Sequence, residues 1–306
     1  MIVTCTMNPA IDLFVRTNSF LPKVVNRTLE DDIQPNGKGV NVSFVLKMLG
    51  IDNQAIGFTG GFTGEFIKKS LVEKGISTDF VDVTEATRIN VFTKVEDQKQ
   101  EYKLVNQGPT IPKVAFTELL GKISQLTAGD LLCVSGSNPK GISDHDLLRL
   151  AELTYERKVP LAIDTSSPIL LELLKYRPFC LKPNEEELAA LFGKTDLTEK
   201  DIHFYGQKLV SLGAKHVIVS LGERGACYFS EELSLQGNAP KGQLVNSACA
   251  GDTLLGTFLG LLTKGEDLQT CLKFSIAAAS STAFTEGLTD FSDVLTLSEE
   301  IRITQI

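Results

Sequence analysis

Six short runs rich in β-branched and aliphatic residues punctuate this chain: Ile2 to Thr6, Gln54 to Phe58, Asp130 to Val134, Leu161 to Asp164, Phe179 to Lys182 and Val217 to Ser220. Between them, Asn41 to Leu49, Glu65 to Glu73, Asp144 to Arg157 and Asp201 to Leu212 repeat apolar residues at helical spacing. This alternation is the strongest constraint on the fold. A strand, a helix and a second strand in succession must return over a sheet face, so the pattern predicts an α/β, doubly wound, mostly parallel sheet with helices on both faces. Such sheets bind ligands at the carboxyl ends of their strands.

Two stretches break the rhythm. Leu13 to Gln34 is extended and turn-rich, with Pro22 within it and Pro35 just after, while Arg88 to Val95 and Tyr102 to Val105 alternate like hairpin strands across the polar turn Glu96 to Glu101. They read as a small separate sheet, although a pair of edge hairpins on the main sheet fits the pattern equally well. No Gly-, Ser- or Pro-rich linker divides the chain, and no internal repeat is present. The last third, Gly251 to Thr263 and Leu268 to Thr282, is helical and rich in small residues suited to close packing.

A formal net charge of -8 without any long Lys/Arg run argues against a nucleic-acid backbone or an anionic membrane as the main partner, and leaves room for a small anion held by a few arginines. The first residues lack a basic lead-in and are interrupted by Asn8, Pro9 and Asp12, so no signal peptide is read and a cytoplasmic location is expected. The six cysteines form no Cys-x-x-Cys pair and the three histidines show no metal-ligand spacing, which argues against a disulfide framework or a zinc site.

Neither a P-loop nor a Gly-x-Gly-x-x-Gly fingerprint is present, so a phosphate site must be built in another way. The segment Asn246-Ser-Ala-Cys-Ala-Gly-Asp-Thr253 runs small residues into a helix, where free N–H groups and the positive dipole end face an anion. Asp252 in the first turn reads, by itself, as an electrostatic cap. A second segment, Gln34-Pro-Asn-Gly-Lys-Gly-Val-Asn-Val42, sets Lys38 between two glycines, which by itself is a tight turn with a solvated lysine.

Together the two segments resemble the paired signatures of the ribokinase-like PfkB sugar kinases, an early Gly-Gly-Lys-Gly region followed by Asn and a late Gly-Ala-Gly-Asp anion hole. The resemblance runs along nearly the whole chain through Asn8-Pro-Ala-Ile-Asp12, Thr59-Gly-Gly-Phe-Thr-Gly64, Thr87-Arg88, Ser135-Gly-Ser137, Lys182-Pro-Asn-Glu-Glu-Glu187 and Val219-Ser-Leu-Gly222. It implies one ribokinase-like domain over residues 1–306, with a small β-sheet lid from about 12–35 and 88–107 that closes on the sugar. It also implies ATP and Mg²⁺ as cofactors, a phosphosugar as the small-molecule partner, and a homodimer formed through the lid.

Carried over residue by residue, the resemblance implies that Asp12 binds sugar hydroxyls, with Gly37 and Asn41 beside it. Asp252 becomes the general base, and the N–H groups of Cys249, Ala250 and Gly251 the anion hole. Asn184 and Glu187 resemble the pair that holds Mg²⁺ through water, Lys182 a nucleotide phosphate contact, and Ser220 with Gly222 a part of the nucleotide pocket. Arg27 and Arg88 stand where the phosphosugar branch holds its substrate phosphate, and Lys38 and Ser137 complete that site. Forked guanidinium groups suit phosphate.

Within the branch, Val25-Asn-Arg-Thr28, Thr87-Arg-Ile-Asn-Val91 and Pro240-Lys-Gly242 are more similar to 1-phosphofructokinases than to tagatose-6-phosphate kinases. The implied reaction converts D-fructose 1-phosphate and ATP to fructose 1,6-bisphosphate. Four positions depart from the family pattern: Asn36 for Gly, Phe44 for a basic residue, Asn138 for an apolar residue and Cys249 for Gly. They keep a catalytically silent sugar-phosphate sensor as an alternative, against which the joint presence of Asp252, Asn184 and Glu187 counts. A nicotinamide oxidoreductase lacks its glycine fingerprint. For Cys249, a position at a helix N-terminus raises the expectation of a lowered thiol pKa, set against plain tolerance of a small buried side chain.

Overall fold

The computed structural model describes residues Met1–Ile306. Its main sheet has eleven strands. Across the sheet the order runs Ile303–Gln305, Ser234–Gly237, Ala226–Phe229, His216–Ser220, Cys180–Leu181, Leu161–Asp164, Leu131–Ser135, Ile2–Thr6, Asn53–Gly60 and Ser77–Thr78, with Val81–Val83 also pairing the Asn53–Gly60 strand. From His216–Ser220 onward every neighbour is parallel, and the last three pairings on the other side are antiparallel. Of these, Ser234–Gly237 and Ile303–Gln305 escaped the sequence reading, because strands this short carry too little periodicity to stand out.

Side-chain alternation explains why the strand segments read as continuous apolar runs. Val3, Leu132, Val134, Leu161, Ile163, Val217 and Val219 pack into one core on one face, whereas Ile2, Leu131, Cys133, Ala162 and Ile218 pack into a second core on the other. Both faces are covered, so neither set of positions is free to be polar. Helices Lys38–Met48, Ala250–Thr263 and Leu268–Ala283 cover the second face, with Val42, Leu46, Leu255, Phe258 and Leu272 buried in that core. Helices Lys113–Ile123, Asp144–Glu156 and Glu199–Ser211 cover the first.

The two stretches that broke the rhythm form a separate four-stranded sheet ordered Thr28–Asn36, Ala10–Thr17, Arg88–Val95 and Gln100–Leu104. The outer pairings are antiparallel and the central pairing, Ala10–Thr17 with Arg88–Val95, is parallel, which rules out the edge-hairpin alternative. This sheet exposes many apolar side chains, among them Phe20, Leu21, Val25 (83% exposed), Ile33 and Leu104. The two sheets meet where Ile2–Thr6 runs through Asn8 and Pro9 into Ala10–Thr17 and where Asn36 turns into helix Lys38–Met48. Gly37 makes the second junction, at φ +134°, where an added Cβ would lie 2.8 Å from Thr6 Cγ2 and 3.1 Å from Pro9 Cα. Only glycine fits such a turn.

Candidate active site

The carboxyl ends of the parallel strands and the foot of the small sheet enclose a polar cluster. Helix Ala250–Thr263 begins there, and Ala250, Gly251 and Asp252 supply N–H groups with no partner inside the helix. Asp252 is 6% exposed. Its Oδ2 accepts a 2.8 Å hydrogen bond from Asn41 Nδ2, and no protein donor reaches Oδ1. Burial raises its pKa to about 7, the negative charge of Asp164 adds to the rise, and the Asn41 hydrogen bond with Lys38 and Lys182 opposes it. A carboxylate poised near neutral pH is what a general base requires.

A string of side-chain amides connects Asp252 to the small sheet. Asn41 Nδ2 also donates to Asn36 Oδ1 at 2.8 Å, Asn36 Nδ2 donates to Asp12 Oδ2, and Asn90 Nδ2 donates to Asp12 Oδ1 at 2.8 Å. Asp12 is buried, and desolvation raises its pKa against the opposing pull of Asn90, Asn36 and Arg88. Beyond Asp12, Arg88 donates to the carbonyls of Asn8 and Asn106, and its Nε is buried without a partner. Asn8 holds Ser137 Oγ at 3.3 Å. Arg88, Ser137, Asn138 and Lys140 line a cleft of about 410 Å³. The unpartnered Nε and the cleft together suit an anion, because a buried donor left unpaired is costly.

Several expected site residues gather as anticipated and others do not. Lys38 pairs with Asp164 Oδ1 at 3.2 Å; burial pulls its pKa down, but Asp164, Asp252 and Glu187 outweigh that and raise it. Its ammonium thus stands among the carboxylates around Asp252. Lys182 is buried, lies 3.6 Å from the same oxygen, and an added Cβ on Gly251 would sit 3.1 Å from its Nζ, so it backs the start of the helix. Asn184 and Glu187 form a reciprocal capping box, Glu187 N to Asn184 Oδ1 at 2.7 Å and Asn184 N to Glu187 Oε2 at 2.9 Å, which opens helix Glu185–Leu191. Ser220 bridges to Asn184 at the end of its strand, and Gly222 at φ +58° begins the next turn facing open space.

Arg27 lies elsewhere. It follows the turn next to Thr28, which pairs with Thr17, whereas Arg88 pairs with Ala10 at the opposite end of the same strand. At about 3.3 Å per residue the separation is roughly 23 Å, so Arg27 and Arg88 of one chain do not grip one phosphate. For Cys249 the structure favours the small buried side chain over the lowered thiol pKa. The residue enters the helix at φ +66°, a left-handed conformation suited to glycine, and its thiol pKa is raised to about 12 by burial and by the charges of Asp252 and Asp12. Desolvation and two carboxylates outweigh the helix dipole.

Asp164 is the residue that sequence reasoning missed. It is 1% exposed, holds both lysines on Oδ1 and leaves Oδ2 buried without a partner. The available signal was position, since it is the last residue of a parallel strand, where ligands collect. Asp164 and Glu187 both act on the Lys38 ammonium, and carboxylate oxygens of this kind fit a magnesium ion or its waters. No three Asp, Glu, His or Cys side chains converge on a metal by themselves. This suits an ion carried mainly by phosphates and water.

Comparison with known proteins places the chain in a family. A family model described as "pfkB family carbohydrate kinase" matches residues 4–294. A D-tagatose-1-phosphate kinase of Bacillus licheniformis is 48% identical and a 1-phosphofructokinase of Bacillus subtilis 37% identical, each with 100% of both chains covered. The crystal structure of phosphofructokinase-2 from Escherichia coli in complex with substrates and products superposes with a TM-score of 0.91 at 26% identity, covering 97% of this chain and 98% of the other. The chain belongs to the pfkB family of carbohydrate kinases.

Proposed function

We propose that this kinase transfers the γ-phosphoryl group of ATP to the 6-hydroxyl of D-fructose 1-phosphate, giving D-fructose 1,6-bisphosphate and ADP. The observation that carries the reading is the linear order of the site: a partnerless guanidinium N–H at Arg88, the hydroxyl-binding carboxylate of Asp12, then Asn36, Asn41 and the base Asp252. A phosphate held at Arg88 and Ser137 leaves the far end of a hexose at Asp252. Asp252 Oδ1 takes the proton of the 6-hydroxyl as that oxygen bonds to the γ-phosphorus, and the bond to the β–γ bridging oxygen breaks, its electron pair leaving with ADP. The N–H groups of Ala250 and Gly251, with Lys38 and Lys182, stabilise charge on the transferred group. Asn184 and Glu187, with Asp164 added, would hold Mg²⁺ or its waters, and such an ion would screen the phosphate charge.

The 48% and 37% identical relatives are named for ketohexose 1-phosphates, so tagatose 6-phosphate gains no support from them. D-Tagatose 1-phosphate does, through the 48% identical relative. The test is coupled ADP release with D-fructose 1-phosphate, D-tagatose 1-phosphate, D-tagatose 6-phosphate, D-fructose 6-phosphate and ribose. The highest kcat/KM is expected for fructose 1-phosphate, and a 6-phosphate or ribose in first place would overturn the reading.

The assembly follows from the exposed apolar surface of the small sheet, which a second copy would cover as a homodimer through the lid. In such a dimer Arg27 would serve the sugar phosphate of the other copy. A single kinase domain with its lid at about 12–35 and 88–107 accounts for the two sheets. No helix is long and apolar enough to cross a membrane, and a cytoplasmic location fits an enzyme that draws on ATP.

A further inference from the structure

We infer that Asn36 decides how the site treats the configuration at C4 of the sugar, and that it extends the enzyme's activity to D-tagatose 1-phosphate. The inference rests on the reading of the site as a ketohexose 1-phosphate kinase.

The Asn36 side chain is held from three sides. Its Oδ1 accepts from Asn41 Nδ2 at 2.8 Å and from the N–H of Gly37 at 2.5 Å, and its Nδ2 donates to Asp12 Oδ2. These partners fix which end of the amide is nitrogen. One Nδ2 hydrogen is therefore spent on Asp12. The other has only Cys249 Sγ at 3.9 Å, a weak acceptor. The pocket thus presents, directly beside a carboxylate, a fixed donor whose second hydrogen is held only weakly by sulfur and can pass to a hydroxyl, where a glycine would present nothing.

The order of the site places that donor. Arg88 anchors the 1-phosphate end, Asp12 follows, and Asn41 leads on to the base that meets the 6-hydroxyl. Asn36 lies between Asp12 and Asn41, so it faces the ring carbon nearer C6, which is C4, while Asp12 takes the C3 hydroxyl. In the furanose ring of D-fructose the C3 and C4 hydroxyls point to opposite faces. In D-tagatose they share a face. A C3 hydroxyl donating to Asp12 therefore brings the C4 hydroxyl of tagatose onto the Asn36 donor and carries that of fructose away from it. The added bond is offered to the C4 epimer alone, which raises D-tagatose 1-phosphate relative to a site with glycine at this position and so narrows the preference for D-fructose 1-phosphate.

The experiment measures kcat/KM for D-tagatose 1-phosphate and D-fructose 1-phosphate in the parent, Asn36→Gly and Asn36→Ala, with circular dichroism as the check on folding. Asn36 is not in a left-handed conformation, so both replacements suit the backbone. The tagatose-to-fructose ratio should fall by about threefold to tenfold in both variants, the worth of one neutral hydrogen bond. Asn36→Ala keeps the Cβ and so separates loss of the amide from gain of space. An unchanged ratio, or an equal loss on both sugars, overturns the role of Asn36. A parent inactive on both 1-phosphates fails in a different way, by removing the reading of the site on which the role depends.

Discussion

Replacing Asp252 with Asn should cut turnover sharply and strengthen the fold at the same time. The carboxylate is 6% exposed, and its pKa lies at about 7, against an ordinary value of 3.8. Because the folded state holds its proton more tightly than the unfolded state, stability from this group is present at low pH and is lost as pH rises from about 4 through 7. A gap of about three pH units corresponds to roughly 4 kcal/mol at ~1.36 kcal/mol each, an upper bound on what the buried charge costs at pH 8. The amide introduced by Asp252→Asn carries no charge and can offer its oxygen to Asn41, so the variant should be more stable than the parent at pH 8 and lose that advantage near pH 4. Turnover should drop by roughly two to four orders of magnitude, the worth of a positioned base. The parent kcat/KM should climb through pH 7 as the carboxylate ionises, and the residual activity of the variant should lack that step. Urea unfolding at pH 4 and pH 8, with ADP release from pH 5 to 9, measures both. Near-normal turnover, or the same step near pH 7 in the variant, refutes the assignment of the base.

Arg88→Ala should reduce kcat/KM for a ketohexose 1-phosphate by about 1.5 to 3 kcal/mol, as for a hydrogen bond to a charged group, and should cost far less for an unphosphorylated ketose in the same ADP-release assay. Asp164→Asn removes the negative charge that raises Asp252, so the acid limb of the kcat/KM profile should move to lower pH; a limb that stays in place separates Asp164 from the base. With its thiol near pKa 12, Cys249 should react with iodoacetamide about tenfold faster for each unit of pH between 7 and 10, as followed by mass spectrometry of its peptide, and a plateau below pH 8 would contradict the burial.

What could be read from the sequence follows the range over which each signal acts. The parallel strands and their helices were legible because burial on both faces forces apolar residues at consecutive positions, as at Val217, Ile218 and Val219. Asp12, Asn41 and Asp252 were legible only through family resemblance, yet they converge because Asn41 and Asp252 lie in the first turns of two helices of that frame and Asp12 near the start of the small-sheet strand that meets them. Arg27 and Arg88 show the limit. Both sit in recognisable motifs, but only the pairing register reveals that they occupy opposite ends of one strand. Cys249 fails for a different reason: a helix N-terminus is visible in sequence, whereas the burial and two carboxylates that overrule it arrive largely from residues far away in the chain.

The same distance in sequence explains why the site is destabilised as it is built. Asp12 comes from the small sheet, Asp164 from the middle of the main sheet and Asp252 from a late helix, so folding brings three acidic side chains into one desolvated cluster. Lys38 and Lys182 answer only part of that charge, and both do so through the single oxygen Asp164 Oδ1. Burial raises the pKa of both Asp12 and Asp252, and the charge of Asp164 adds to the rise at Asp252. A better-neutralised cluster would be more stable, but it would return Asp252 toward the ordinary carboxylate range, where it is a weak base for a hydroxyl proton. Binding of the sugar phosphate and nucleotide then has to engage a cluster already out of electrostatic balance, in which the buried Nε of Arg88 and Oδ2 of Asp164 still lack partners. The stability lost in holding Asp252 near neutrality is thereby tied to the catalytic step, and a substitution that relieves the first should slow the second.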